Sequence, residues 1–485
     1  MRGVFIAGLF GFGCSESAPE VSQPSEETVE VWDGPRSNQF QLDVELNAPR
    51  SVAVGCVAAH DPDEQVFVES PKPTLTHELR LSGLLPESAY DCRVFATAGA
   101  PFERDIQLEV GAPPIDFRPM TVTIDDELGM RGDWTLLVRP AVVTNHAWLL
   151  VYDRQGRPRW WHPLPRDYQS IEALFHPEDE AIVWGGGDRV QQDGWPGVIG
   201  LWDGDARIAV PDRKDIQFHH DGIRLDDGRF VTLEVSDNRN EYRRWDGFRV
   251  RVYDPVDDEV DFTFDSQRYV DEGILASPMA GRDPYHANWM DYVETPDGPV
   301  LYVSLCLSWQ VLAIDGVTGD LKWNLAWDQD WTVRDETGAL DPSILPQCQH
   351  GLEVEGDTIW MYDNGRQRGE SSASLWRIDG EAHEAQRLWH WTEPGWWYRS
   401  LGDIDVIDDE RILITKATFE DNGFTELVEV DIDSGAVASR LAFEEFGRGY
   451  RSERIDSCAM FDRVDRCPAL RQRLDELGVA FAFGK

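Results

Sequence analysis

A short β-type unit recurs six times along the chain and constrains its fold more than any other feature. In each copy an apolar strand ends in an Asp, a polar turn follows, and a second strand begins. The marker residues are Asp153, Asp203, Asp254, Asp315, Asp379 and Asp431, spaced by 50, 51, 61, 64 and 52 residues. A period near fifty residues with alternating strands is typical of four-stranded propeller blades. The sequence therefore predicts an all-β fold with a six-bladed β-propeller over residues 115–455.

A smaller set of alternating strands precedes the repeats. We expect strands at Phe40–Leu46, Ser51–Ala58, His77–Leu81 and Ala89–Ala96, separated by Pro and Asp turns. They predict a β-sandwich over residues 38–112, which ends at a Pro-rich joint. Its Leu-Pro turn, followed by Tyr90, resembles the corresponding turn of a fibronectin type III domain. Such a module positions or shields a neighbouring domain, and we assign it no chemistry.

The first 14 residues resemble a bacterial lipoprotein signal. Arg2 is followed by the apolar run Val4–Phe12 and then by Gly13 and Cys14, the residue that would be lipidated. An ordinary cleaved signal or a misplaced start codon is the alternative. Residues 15–37 are polar and acidic, which predicts a disordered tether. We expect export to the bacterial cell envelope, lipid-anchored or in the periplasm or outside the cell, with membrane contact only through the lipid anchor.

The cysteine count agrees with export. Seven Cys minus a lipidated Cys14 leave six, an even number that suits disulfides in an oxidising compartment. We expect Cys56 to pair with Cys92 and Cys458 with Cys467, the second pair within a C-terminal extension over residues 456–485. Cys306 and Cys348 are left over, and three alternatives stay open for them. They could form a disulfide, bind a metal together with histidines, or be two ordinary buried cysteines.

The formal net charge of −44 excludes nucleic acid as a partner, because such a surface repels phosphate backbones. An anionic small molecule would need cations placed close to it, since exposed charges are screened over about 8 Å at physiological salt. The sequence leaves the oligomeric state open.

Three of the repeats carry a His at the head of an earlier strand, namely His220, His286 and His350. Asp403 stands at the matching place in the next repeat, nine residues before Ile412, as His350 stands nine before Ile359. Radial repetition would aim these side chains at one rim of the central channel. A single strand His is usually structural, but three at matching positions among only 11 His favour a functional site.

Three patches around these residues resemble the bacterial arylsulfate sulfotransferase family over roughly residues 120–455. They are His-His-Asp with an Asp-Gly turn at 219–228, His-x-Asn at 286–288, and Gln-His…Tyr-Asp-Asn-Gly at 349–365. The resemblance implies transfer of a sulfuryl group from a phenolic sulfate ester to a phenol, with no cofactor. It further implies that His350 is transiently sulfated while His286, Asn288 and His220 hold the sulfuryl group.

The family's arginine in a Ser-x-Arg pattern is absent, because this chain reads Ser304-Leu305-Cys306. The cations that could replace it are Arg399, Lys416, Arg366 and Arg451. On the substrate side of the site we expect Arg399, Asp403, Asn364 and Cys306.

The residue types suit this chemistry. A neutral imidazole can attack sulfur and expel a phenolate, which divides one difficult transfer into two displacements. Further imidazoles and an amide can stabilise the sulfuryl oxygens, and one His can act as a base toward the incoming phenol.

Two alternatives stay open because Cys306 replaces the arginine. His220, His286 and His350 are also a plausible ligand set for a metal ion, and a degenerate propeller could be a ligand-binding surface lipoprotein without catalysis.

Overall fold

The computed structural model describes most of the chain as β-sheet. The described residues are 27–34, 38–114, 117, 119–132, 134–139, 147–163, 168–176, 181–188, 197–202, 218–239, 244–254, 256–257, 259–277, 283–416, 425–443, 449–455, 458, 461, 464 and 467–478. Cys14, the signal and most of the tether expected at 15–37 lie outside them, as does the marker Asp203.

The N-terminal part is one five-stranded unit with two long strands. Its strands are β1 (Thr28–Asp33), β2 (Phe40–Ala58), β3 (Asp61–Leu81), β4 (Ala89–Ala98) and β5 (Glu103–Glu109). The first half of β2 pairs with β1 and the end of β3, whereas its second half pairs with β4 and the start of β3. Apolar side chains from all five strands enclose one core.

The prediction of two separate strands at Phe40–Leu46 and Ser51–Ala58 is wrong, because both segments belong to the single strand β2. The intervening residues interrupt the pairing with β3 between Glu45 and Arg50 without turning the chain, so the strand continues past them. The Tyr90 hydroxyl accepts a hydrogen bond from the Leu85 N–H at 2.8 Å, so Tyr90 packs back on the Leu-Pro turn.

Six further sheets follow in the described residues, and their strands pair antiparallel except for Thr332–Arg334, which pairs in parallel with Glu384–Trp391. The strands are β6 (Thr121–Ile124), β7 (Trp134–Arg139), β8 (Trp148–Asp153), β9 (Pro158–Pro163), β10 (Tyr168–His176), β11 (Ala181–Asp188), β12 (Gly197–Trp202), β13 (Phe218–Arg224), β14 (Phe230–Arg239), β15 (Arg244–Asp254), β16 (Glu259–Asp265), β17 (Ala287–Val293), β18 (Val300–Leu305), β19 (Gln310–Asp315), β20 (Leu321–Ala326), β21 (Thr332–Arg334), β22 (Gln349–Glu355), β23 (Thr358–Asp363), β24 (Ser372–Asp379), β25 (Glu384–Trp391), β26 (Asp403–Asp408), β27 (Arg411–Lys416), β28 (Glu426–Asp431), β29 (Val437–Ala442) and β30 (Arg451–Ile455).

The sheets are arranged as a propeller. Strand orders are β10-β11-β12, β13 to β16, β17 to β20, β22 to β25 with β21 at the edge, β26 to β29 with β6 at the edge, and β30-β7-β8-β9. The first strands β10, β13, β17, β22, β26 and β30 each lie against the next, and β30 lies against β10. The late strand β30 completes the early sheet, which closes the ring. The predicted all-β propeller is confirmed, while the count of six blades for the whole chain stays a prediction.

Carboxylates tie neighbouring inner strands together around the channel. In each case a carboxylate accepts a backbone N–H from the next inner strand. The pairs are Asp221 with Met290 (2.5 Å), Asp291 with Val354 (3.0 Å), Glu353 with Val406 (3.1 Å) and Asp405 with Arg454 (2.9 Å). Burial raises the pKa of each of these carboxyls, that of Asp405 to about 6.

The marker Asp residues explain the repeat. Every described marker ends the third strand of its sheet, and its side chain accepts backbone N–H groups of the following turn, for example those of Val317 and Thr318 at Asp315. The Asp thus builds the turn from its own side chain. Trp389 of β25 packs against the next sheet, since its Nε1–H donates to the carbonyl of Ile432, directly after β28, at 2.8 Å.

Contacts join the N-terminal unit to the propeller and to the C-terminal residues, among them a buried ion-pair cluster and a helix. The buried Arg159 guanidinium on β9 donates to Glu64 of β3 at 2.6 and 2.7 Å and to Asp153 at 2.7 Å. A C-terminal helix, Pro468–Leu477, packs apolar side chains against Phe67 and Phe95. One short helix, Ser266–Asp271, and a 3₁₀ turn, Pro342–Ile344, lie within the repeats. Among the described residues, no helix has the length and apolar character needed to cross a membrane.

Candidate active site

Irregular backbone at one rim of the ring presents the three predicted histidines. Each of them stands in an inner strand or directly before it, and a β-bulge lies close by. The bulges are between Phe218 and Gly222 in β13, Ala287 and Trp289 in β17, and His350 and Leu352 in β22. His220 and His286 also have positive φ angles of 70° and 50°, which non-Gly residues rarely adopt. Bulges and strained backbone redirect side chains and are common at functional sites.

His220 and His286 lie together, and His219 joins them. The ring centroids of His220 and His286 are 4.8 Å apart, and His219 lies 4.3 Å from His220 and 5.7 Å from His286. His219 Nδ1–H donates to the Ala287 carbonyl at 3.0 Å. Burial lowers the pKa of His219 to about 4, so its imidazole is neutral at pH 7.

His286 is oriented by a carboxylate. Its Nδ1–H donates to Asp283 Oδ2 at 2.5 Å, and its backbone N–H donates to the other oxygen at 3.0 Å. Burial acts to raise the pKa of Asp283, but the hydrogen bonds that it accepts from His286 outweigh burial and hold that pKa below its usual range. The carboxylate therefore fixes the tautomer of His286 with the lone pair on Nε2.

His350 is buried, and Asn364 fixes its tautomer. Asn364 Nδ2 donates to the carbonyls of Tyr398 (2.8 Å) and Leu401 (2.9 Å), so its Oδ1 must accept. His350 Nδ1–H donates to that Oδ1 at 2.6 Å, which leaves the lone pair on Nε2. The Leu401 N–H donates to this Nε2 at 3.3 Å. Burial, followed by the nearby His286, lowers the pKa of His350 to about 3.

Tyr450 connects the two groups of histidines. Its hydroxyl lies 3.3 Å from His220 Nδ1, and its ring centroid lies 6.1 Å from that of His220 and 6.3 Å from that of His350. The three predicted histidines therefore converge on one region.

All three cysteine pairs are disulfides. Cys56 is bonded to Cys92 and Cys458 to Cys467, as expected. Cys306 is bonded to Cys348, which the sequence left open. That bond links the end of β18 to the residue before β22, and both sulfurs lie within 4.8 Å of a ring nitrogen of His350.

A pocket of about 140 Å³ opens beside this disulfide. It is lined by His286, Cys306, Leu307, Arg366, Arg399 and Ser400. Arg366 and Arg399 are exposed, and neither guanidinium has a hydrogen bond or ion pair with another residue that the structure describes. Two cations thus lie beside Cys306, which replaces the family arginine. His350 itself does not line the pocket.

The other two cations considered are engaged elsewhere. Lys416 Nζ lies 2.7 Å from carboxylate oxygens of Glu393 and Glu426. Arg451 donates to Asp221 at 3.3 Å, and its guanidinium lies 3.5 Å from the centroid of the Trp289 ring.

Two predicted site residues serve the scaffold in this structure. Asn288 is fully buried, with Nδ2 donating to the Gln349 carbonyl at 2.9 Å and Oδ1 accepting from Ser304 Oγ at 2.8 Å. The amide thereby fixes the residue next to His350. Asp403 is buried at the start of β26 and accepts the N–H groups of Ile404 and Ser452. Because both side chains are buried, direct contact of either residue with substrate would require the surrounding residues to move.

Sequence reasoning missed His219, Asp283 and Tyr450. His219 stood in a recognised His-His pair, which could have flagged it. Asp283 lies three residues before His286, but such a spacing is common by chance. Tyr450 comes from the opposite end of the repeats, 230 residues from its partner His220, and no local signal marks it.

Three comparisons place the chain among known proteins. Its structure is similar to TolB from Acinetobacter baumannii (12% identity, TM-score 0.40, covering 76% of this chain and 79% of that chain). It is also similar to a chain of a nidogen/laminin complex (10%, 0.38, 66% and 98%) and to Kluyveromyces lactis Hsv2 (12%, 0.31, 78% and 94%). No curated protein sequence matches it significantly. The family model described as Arylsulfotransferase (ASST) matches residues 131–451, which span His220, His286, His350 and both pocket arginines, and the chain therefore belongs to the arylsulfotransferase family.

Proposed function

We propose that the protein transfers a sulfuryl group from a phenolic sulfate ester to a phenol through a sulfohistidine on His350. The observation that best supports this is the hydrogen bonding of the two ring nitrogens of His350. Asn364 holds the proton on Nδ1, and burial keeps the pKa at about 3, so Nε2 carries a lone pair at neutral pH. A neutral imidazole with a fixed tautomer is the form that attacks.

In the first displacement, His350 Nε2 forms a bond to sulfur while the bond from sulfur to the phenolic oxygen breaks. The products are a phenolate and an Nε2-sulfated His350. Because the Leu401 N–H donates to Nε2 at 3.3 Å, that long hydrogen bond must be given up before attack. His350 is 1% exposed, so the segment around Leu401 must withdraw when the donor binds.

The pocket arginines supply the charge that the donor requires. Arg366 and Arg399 line the pocket together with His286 and Cys306, and both side chains are exposed. We assign them the role of the missing family arginine, namely binding the sulfuryl oxygens. Leu307 lines the same pocket and offers an apolar surface for the aromatic ring.

In the second displacement, the phenol oxygen attacks sulfur and the bond from sulfur to Nε2 breaks. His286 acts as the base, because Asp283 holds its Nδ1–H and leaves Nε2 as the acceptor for the phenol proton. His286 then gives this proton to water, which balances the phenolate released in the first displacement. One aryl sulfate and one phenol are therefore consumed, and one of each is formed.

Trapping the intermediate tests the proposal. Protein mixed with excess 4-nitrophenyl sulfate without acceptor should release one nitrophenol per chain, and the peptide with His350 should gain the mass of one sulfuryl group. His350→Ala should lose both signals. His383→Ala, a matched change at an exposed His outside the site, should keep both. Release without sulfation of His350 would refute the proposed intermediate.

We also propose that the protein is exported and anchored at Cys14. Three disulfides support an oxidising compartment. Cys14→Ser should release the protein from the membrane fraction, and unchanged fractionation would contradict the anchor.

A further inference from the structure

The cluster of His219, His220 and His286 has the composition of a metal site. One ring nitrogen from each imidazole lies within 4.8 Å of one from each of the others. The sequence suggested His220, His286 and His350 as the ligands. In the structure His350 lies beside Cys306 and Cys348 instead, and His219 is the third member of the cluster. Imidazole nitrogen is the ligand type preferred by Zn²⁺ and by neighbouring late transition metals.

The spacing of the rings fits one shared ion. Three imidazoles around one ion, with bonds of about 2.1 Å and tetrahedral angles, have ring centroids roughly 5 Å apart. The observed separations are 4.3, 4.8 and 5.7 Å. The rings are nearly perpendicular, with interplanar angles of 75° to 90°, so they do not stack on one another. The rings therefore need only small adjustments to share one ion.

Outer partners of the kind found around metal-bound His are also present. Nδ1 of His219 donates to the Ala287 carbonyl, and Nδ1 of His286 donates to the Asp283 carboxylate. Nδ1 of His220 lies 3.3 Å from the Tyr450 hydroxyl. A metal-bound His almost always donates its second ring N–H to such a group, which fixes the ring and its tautomer. Each imidazole of the cluster thus has its Nδ1 side engaged.

The cluster also has a route of entry. His286 has 31% of its side chain exposed and lines the 140 Å³ pocket. Three protein ligands with a fourth position facing a pocket are the arrangement of an open zinc site.

We propose that His219, His220 and His286 bind one divalent transition-metal ion of the Zn²⁺ class. Its occupancy regulates the proposed sulfotransfer, because the ion would take the Nε2 lone pair of His286, which is the base in the proposed second displacement. This regulatory part rests on the proposed function, whereas the binding part does not.

Cobalt is the probe for binding. The full chain, freed of metal by chelator and dialysis, is titrated with Co²⁺ while visible absorption is followed, and Zn²⁺ is then added. We expect one Co²⁺ per chain, intense bands of four-coordinate cobalt, and displacement by Zn²⁺. His219→Gln and His286→Gln should each weaken Co²⁺ binding by more than 10–100-fold, which is the loss typical when a residue hydrogen-bonded to a metal ligand is removed. Asp283→Asn should weaken it by about that 10–100-fold. His383→Gln is the matched control and should bind as the natural protein does.

The outcomes separate the two proposals. No Co²⁺ binding, or binding that survives in both cluster variants, overturns the metal site whether or not sulfotransfer occurs. Sulfotransfer is measured first on the metal-free protein, and its absence there counts against the proposed function alone. If metal-free protein transfers sulfate and one equivalent of Zn²⁺ leaves the rate unchanged, the regulatory part is refuted.

Discussion

Replacing the two pocket arginines tests how this chain does without the family arginine. Arg366 and Arg399 both line the pocket with His286, and neither has another described partner. We consider Arg366→Met, Arg399→Met and the double variant, because Met keeps most of the side-chain length and removes only the charge and the donors. The expected loss is in use of the anionic donor.

The magnitude follows from the exposure of the two groups. A hydrogen bond to a charged group contributes about 1.5–3 kcal/mol, and exposed pairs fall at the low end because water and salt screen them. A loss of about 1.4 kcal/mol is tenfold. Each single variant should therefore lower kcat/KM for 4-nitrophenyl sulfate about tenfold, and the double variant about a hundredfold if the two act independently.

The assay measures kcat/KM for 4-nitrophenyl sulfate at low and high salt, together with KM for the phenol acceptor. The natural protein should lose efficiency as salt rises, whereas the double variant should respond weakly. Arg377→Met is the control, since Arg377 is exposed but pairs with Asp357 away from the pocket. A double variant within threefold of the natural protein, or an equal loss in Arg377→Met, would refute the assigned role.

Three further predictions concern His350 and its surroundings. Asn364→Leu removes the acceptor of the His350 Nδ1–H and should slow nitrophenol release 10–100-fold. It should also lower the unfolding free energy by about 1–3 kcal/mol for each buried polar group that loses its hydrogen bond. An unchanged burst contradicts this. The nitrophenol burst should persist at pH 5, because burial keeps the pKa of His350 at about 3. A His of ordinary pKa near 6.5 would be about 97% protonated at that pH. A tenfold fall in the burst between pH 7 and 5 contradicts this. Removing the Cys306–Cys348 bond with a double Ser variant should cost up to roughly 4 kcal/mol of unfolding free energy for a sequence separation of 42 residues. An unchanged denaturation midpoint would count against that estimate.

The sequence predicts the repeat because each of its turns depends only on residues close together in the chain. Each marker Asp that the structure describes accepts N–H groups from residues two to four positions later, as Asp153 does from Gln155 and Arg157. Such a turn needs no distant partner, so its period survives in the residue pattern. The same holds for the alternation of buried and partly exposed side chains in strands such as β4.

The positions of the histidines were predictable for a related reason. His220, His286 and His350 occupy matching places near the start of inner strands, and the inner strands meet around one channel. Their local backbone was not predictable, since the bulges and the positive φ angles of His220 and His286 occur at residues that do not ordinarily favour them. The bulges depend on how each inner strand pairs with its neighbour.

What the sequence determined by itself is the all-β repeat, the N-terminal unit, two of the disulfides and the set of histidines. Only the tertiary structure decided which side chains meet them. The Cys306–Cys348 bond, the placing of Arg366 and Arg399 at one pocket, and the contact of Tyr450 with His220 join residues from separate blades. The roles of Asn364 and Asn288 depend on which carbonyls lie within about 3 Å of their amides. Contacts over such sequence distances depend on ring closure and blade packing, which leave no periodic pattern in the chain.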